Sequence, residues 1–189
     1  MREIIQEAIL ESIRVKEELL KNNLGQIVEI SKKIIESLKK GGKLIIFGNG
    51  GSASDAQHIA AELVGRFKKD RPALPAIALT VNTSIITALA NDFGFDIIFA
   101  RQIEGLAVKN DVALGISTSG KAKNVILGLK QAKKMGLLTI ALSGGDGGEI
   151  TKQADLSLIV PSLKTARIQE SHILVGHIIC ELVEEAGIR

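Results

Sequence analysis

Two short runs of small and hydroxylated residues carry the strongest chemical signal in the chain: Gly48-Asn49-Gly50-Gly51-Ser52 and Gly115-Ile116-Ser117-Thr118-Ser119-Gly120. Each follows an apolar, strand-like segment and opens a helix-like one. Small residues at such a junction let backbone N–H groups approach an anion, and the N-terminus of the following helix adds favourable partial charge. Two loops of this kind, at the carboxyl ends of neighbouring parallel strands, would hold a phosphorylated small molecule. Tight strand-to-helix turns also need glycine without any ligand, but the clustered Ser and Thr favour binding. A third glycine-rich run, Ser143 to Gly148, reads as a flexible strand–helix turn.

A second set of residues could move protons or hold a metal. His58 and Glu62 stand four apart on a helical segment, so their side chains share one face, one turn apart. A surface His–Glu pair has the same spacing, with Asp55 and Gln57 nearby. The remaining histidines, His172 and His177, lie in the last helical segment. His172 reads as a surface or interface residue. His177 is flanked by Val175, Gly176, Ile178 and Ile179, where a buried imidazole needs a hydrogen-bond or metal partner. Gln169 and His177 are eight residues apart, about 12 Å along a helix. Joining both to one metal would take long side-chain reach, a helix distortion or a second subunit.

The elements that must position these residues alternate in period. Residues 2 to 40 read as two helices, with apolar stripes Ile5, Ile9, Ile13, Leu20 and Ile27, Ile30, Ile34, Leu38 separated at Asn22-Asn23 and ending at Gly41-Gly42. Those stripes must bury against the chain's own sheet or against a second copy, and their length favours the copy. Strand-like segments at 43–47, 75–80, 111–116, 137–142 and 156–160 then alternate with helical ones at about 52–66, 83–107, 122–135 and 146–153. A long helix covers 165 to 185. Such alternation implies one α/β domain over 1–189: a three-layer sandwich with a five-stranded parallel sheet, preceded by a helical hairpin over 1–40.

Composition narrows the function classes. The 189 residues carry a formal charge of +3, 46% apolar residues, five Phe and no Trp or Tyr, so the core is aliphatic and base-stacking platforms are scarce. The cluster Arg66 to Arg71 contains Asp70 and reads as a solvated loop rather than a nucleic-acid patch. The lone Cys180 has no partner for an internal disulfide and reads as a packed thiol. Neither a secretory signal nor a membrane-spanning apolar run is evident, so a cytoplasmic location without membrane or nucleic-acid partners is expected.

Taken in order, Gly48–Ser52, His58 with Glu62, Asn91-Asp92-Phe93-Gly94, Gly115–Gly120 and Arg167-Ile168-Gln169-Glu170 with His177 make the chain resemble the phosphoheptose isomerases of the sugar isomerase (SIS) fold, over nearly its whole length. The resemblance implies a flavodoxin-like SIS domain and a homotetramer with sites at subunit contacts. It also implies conversion of D-sedoheptulose 7-phosphate to D-glycero-D-manno-heptose 7-phosphate, the first step towards nucleotide-activated heptoses. One Zn²⁺ per subunit is implied, with ligands His58, Glu62, Gln169 and His177, and an acid/base pair of Glu62 and His177. Substrate contacts are implied at Asn49, Gly50, Gly51, Ser52, Glu62, Asn91, Asp92, Ser117, Thr118, Ser119 and Gln169. The chain departs from the family pattern at Ala122, where a third hydroxyl is common, and at Ala166, where some members carry a carboxylate.

Two alternatives are weighed against this expectation. A related SIS protein, the DnaA-binding initiator-associating factor, shares the fold without the chemistry, but it lacks counterparts of Glu62 and His177. A dinucleotide-binding protein is disfavoured because Gly48–Ser52 lacks GxGxxG spacing and no acidic residue ends the next strand.

Overall fold

The computed structural model describes residues 1–188. Two helices, α1 (Arg2–Asn22) and α2 (Leu24–Lys39), precede β1 (Leu44–Gly48), α3 (Gly51–Val64), β2 (Ala76–Ala78), α4 (Thr83–Phe93), a 3₁₀ turn (Phe95–Ile97), α5 (Ile98–Leu106), β3 (Val112–Ile116), α6 (Lys123–Lys134), β4 (Leu138–Gly144), the single turn α7 (Gly148–Thr151), β5 (Leu156–Val160) and α8 (Thr165–Glu185). All strands are parallel, in the order β2-β1-β3-β4-β5. The central strands β1 and β3 are buried at every position, as near-continuous Ile, Leu, Val and Ala runs covered on both faces require.

Two aliphatic cores flank the sheet. One joins α2, α3, α8 and part of α1 to the strands through Ile30, Ile34, Ile46, Leu63, Leu114 and Val175. The other joins α5 and α6 through Phe47, Phe99, Ile103, Val125 and Leu129, with Phe47 and Phe99 in tilted contact at 5.2 Å. The strand order reverses between β1 and β3, so the loops leaving their carboxyl ends line the crevice where doubly wound sheets bind ligands. Cys180 is a free, fully buried thiol, pushed up to about 12 by burial and then by the carboxylates of Glu62 and Glu184. No helix among the described residues is long and apolar enough to cross a membrane.

Several expectations change in detail. The stripe of α2 is buried in the chain's own core, so this helix caps its sheet rather than waiting for a partner. On α1 only Val15 and Leu19 are buried, while Ile4, Ile5, Ile9, Leu10, Ile13 and Leu20 stay exposed. The helix expected over 83–107 is broken, because Gly94 (φ 92°) takes a backbone turn that L-residues rarely adopt, and the chain restarts through the 3₁₀ turn. The helix expected over 146–153 shrinks to four residues, since Gly147 and Gly148 both hold positive φ. In that loop Ser143 Oγ donates inward to Gly147 O at 2.9 Å, and Ile150 N–H donates to Gly120 O at 3.0 Å. The Ser143–Gly148 run is therefore a buttress for the loop after β3.

His172 is not a surface or interface residue. It is fully buried, its Nε2–H donates to Ser143 O at 3.0 Å, and Nδ1 has no partner among the described residues. Burial, partly opposed by the Ser143 carbonyl, lowers its pKa from 6.5 to about 4. The unfolded chain therefore binds a proton between pH 6.5 and 4 that the folded chain refuses, and stability falls as pH drops through that window. The unfolding free energy is expected to decline by on the order of 3 kcal/mol more in the native chain than in His172→Gln across this range, measured by denaturant unfolding. Parallel pH profiles for the two chains would contradict it.

Candidate active site

The site is built from two loops and two helices. Register pairs Gly48 with Ile116, so the loops after β1 and β3 start side by side. They are tied by a reciprocal amide pair: Asn49 Nδ2 donates to Asn124 Oδ1 at 2.8 Å, and Asn124 Nδ2 returns the bond to Asn49 Oδ1 at 2.9 Å. Among the described residues, the N–H groups of Gly50, Gly51, Thr118 and Ser119 donate to no protein acceptor. Free N–H groups at two adjacent strand–helix junctions form the donor set of an anion site. Ser117 is buried, Thr118 and Ser119 reach the surface, and a cavity of about 280 Å³ opens beside them toward Gly144, Asp146 and Ser162. Ser52 lies buried in the first turn of α3.

The helices α3 and α8 run in the same direction in close contact. A Cβ on Gly176 would stand 2.6 Å from Ile59 Cδ1, so the glycine lets the two backbones approach. This approach gathers His58, Glu62 and His177, whose ligand atoms all lie within 4.8 Å of one another. His58 Nε2 is 3.0 Å from Glu62 Oε1. The His58 and His177 rings meet edge-on at 4.9 Å, and His177 Nε2 is buried with no hydrogen-bond partner among the described residues. Two imidazoles, one of them with an unsatisfied ring nitrogen, and a carboxylate at this separation suit either a divalent metal or a proton relay.

Gln169 occupies a different level. Its amide packs over the first turn of α3, where a Cβ on Gly51 would meet Nε2 at 2.4 Å, and it neighbours Asp55. Asp55 is buried with Oδ2 unpartnered, and burial raises its pKa against the opposing effects of Gln169 and His58. Asn91 and Asp92 sit exposed on the last turn of α4, bonded to each other at 2.8 Å, and no hydrogen bond links them to either loop among the described residues.

The SIS domain model matches residues 9–144. A phosphoheptose isomerase from Aquifex aeolicus is 55% identical over 185 residues, 98% of this chain and 97% of that protein. The phosphoheptose isomerase GmhA structure from Neisseria gonorrhoeae superposes with a TM-score of 0.93 at 42% identity, covering 97% of this chain and 98% of that one. That from Francisella tularensis superposes at 0.94 with 36% identity, covering 97% of each. The chain belongs to the phosphoheptose isomerase family of SIS-domain proteins. More distant matches, such as a Vibrio vulnificus NanR structure at 14% identity and TM-score 0.70, share the fold alone.

Residue types alone do not point to two contacts that lie around this candidate site of a phosphoheptose isomerase. Asn124 stands three residues from a glycine-lysine turn with no distinguishing pattern, and its role emerges only from its contact with Asn49. Arg71, read as part of a solvated loop, is instead half-buried, with Nε donating to Glu184 Oε1 at 3.0 Å. A Gly51→Ala variant tests the Gln169 placement. The new methyl would displace a flexible side-chain end rather than backbone, so stability should stay within about 1 kcal/mol of native while turnover of sugar phosphate drops roughly tenfold or more. Unchanged turnover in a folded variant would show that the position of Gln169 is irrelevant.

Proposed function

We propose that this aldose–ketose isomerase acts on D-sedoheptulose 7-phosphate, forming D-glycero-D-manno-heptose 7-phosphate, with Glu62 and His177 transferring the protons. The observation that carries this reading is the convergence of Glu62, His58 and His177 on one face of the α3–α8 pair. The free N–H groups and hydroxyls of Asn49–Ser52 and Ser117–Ser119 would bind the phosphate, and anchoring that remote group would position C1 and C2.

In the ketose-to-aldose direction a base takes a proton from C1, the C1–C2 bond becomes that of an enediol(ate), and an acid delivers a proton to C2. The hydroxyl proton on O1 is lost as O2 gains one, so the sugar is isomerised with no net redox change. Glu62 and His177 are the paired groups within reach of one another for these transfers, and His58, beside Glu62 Oε1, would orient the carboxylate. The donor set also fits a zinc ion: His58, Glu62 and His177 would hold it, with Gln169 as the further ligand that family resemblance implies. Bound there, the metal would supply charge stabilisation for a developing oxyanion.

Oligomer formation belongs to the same reading. The exposed Ile5, Ile9 and Ile13 stripe of α1 is suited to another copy of the chain. The expected cytoplasmic setting also stays part of this proposal.

Glu62→Gln and His177→Ala should each lower turnover of sedoheptulose 7-phosphate by about 10²- to 10⁴-fold with the circular dichroism spectrum retained. Near-native rates in both folded variants would rule out the acid/base assignment. Chelation followed by zinc add-back, with bound metal counted by mass spectrometry, should show lost and restored metal in the native chain and reduced uptake in His58→Ala. Equal uptake by the native and His58→Ala chains would remove His58 from the ligand set.

A further inference from the structure

Beyond the groups proposed for proton transfer, Arg71 and Glu184 form a largely buried ion pair that ties the end of α3 to the last turn of α8. After α3 the backbone leaves at Gly65 and passes through Phe67, Lys68 and Lys69 to Arg71. Glu184, on the last turn of α8, accepts from the N–H groups of Phe67 (2.8 Å), Lys68 (2.8 Å) and Lys69 (3.1 Å), and from Arg71 Nε (3.0 Å). Its side chain is 1% exposed and that of Arg71 10%. The other nitrogens of Arg71 reach the end of α3: Nη2 donates to Glu62 O at 2.8 Å, and Nη1 to Leu63 O at 2.8 Å and Gly65 O at 3.3 Å, as well as to Pro72 O at 3.1 Å.

Two consequences reach the site. Arg71 grips the backbone carbonyl of Glu62 itself. The segment held by Glu184 also lays the Phe67 ring on His177, with centroids 5.4 Å apart and planes at 25°. His177 therefore sits between Phe67 on its face and His58 at its edge, with no hydrogen bond to Nε2. Ring contacts, rather than a hydrogen bond at that nitrogen, set which way the imidazole points.

We propose that Phe67 is a positioning residue that fixes the His177 ring toward Glu62, and that the Arg71–Glu184 pair holds Phe67 and the Glu62 backbone in register. This rests on the reading that Glu62 and His177 transfer the protons. A flat aromatic face restricts the imidazole plane, whereas an aliphatic side chain of similar bulk leaves it free to rock, and small misplacements of a proton-transfer group are costly to rate. Remote binding of the phosphate is untouched, so the effect belongs in kcat.

The test compares Phe67→Leu, Phe67→Tyr and Glu184→Gln with the native chain, using steady-state kinetics and histidine-ring NMR. With only three histidines the ring signals are readily assigned. Phe67→Leu is expected to lower kcat about 10- to 100-fold with KM within about twofold, and to broaden or shift the His177 ring signal. Phe67→Tyr keeps the ring and should restore both readouts. Glu184→Gln keeps one acceptor but loses the charge, and should move the His177 signal in the same sense as Phe67→Leu. If Phe67→Leu melts earlier yet keeps native kcat per folded molecule, or leaves the His177 signal unchanged, the positioning role is wrong. Failure of the proton-transfer reading itself would appear separately, as turnover surviving Glu62→Gln and His177→Ala.

Discussion

The close, same-direction packing of α3 on α8 is the constraint on which the rest of this molecule depends. Gly51 meets Gln169, Ile59 meets Gly176, and further along the segment after α3 meets Glu184, so contacts advance in step along both helices. At Gly176 a methyl group would already collide with Ile59. Close-packed interiors transmit even a one-methylene change. Any shift between these helices would carry His177 away from His58 and Glu62, uncover Gln169 and pull the Arg71–Glu184 pair out of alignment. One interface thus sets the geometry of the metal-competent trio and of the groups that hold it.

The binding half of the site obeys a different logic. Its donors are main-chain N–H groups at two strand ends, and they are available because helix N-termini leave such groups unpaired. What keeps them aimed together is the sheet register between β1 and β3, the Asn49–Asn124 amide pair, and the buttress from the Ser143–Gly148 run. Rigid strands therefore orient the loops proposed to bind phosphate, while helix packing orients the Glu62–His177 pair proposed to transfer protons. The split suits an isomerase, whose substrate must be gripped at one end while its other end changes bonds.

Buried polar groups recur wherever positioning is required. Asp55, His172, His177 and Glu184 all lie wholly or partly out of solvent, and their treatment differs. Glu184 is satisfied by three backbone donors and an arginine, which hold its carboxyl below the usual range despite burial. Asp55, His172 and His177 each keep an atom without a partner among the described residues. The satisfied carboxylate of Glu184 anchors structure, and of the unsatisfied atoms those of Asp55 and His177 lie beside the candidate site.

Much of this was legible from residue order. Strand–helix alternation, the two glycine- and hydroxyl-rich turns, the one-turn spacing of His58 and Glu62, and the packed Cys180 follow from local periodicity and residue chemistry, which act over a few positions and need no knowledge of neighbours. The fate of Arg71, the burial of His172, the bond between Asn49 and Asn124 and the break at Gly94 were not legible, since each depends on what a distant segment presents. An arginine in a charged loop looks solvated until a carboxylate from the last turn of α8 is found beneath it. Likewise, the stripe on α2 turned inward while that on α1 stayed open, although the two read alike as sequence. Periodicity determines that a face is apolar and which side chains share it; only the packing of elements far apart in the chain decides what that face meets, because contact energy depends on three-dimensional neighbours.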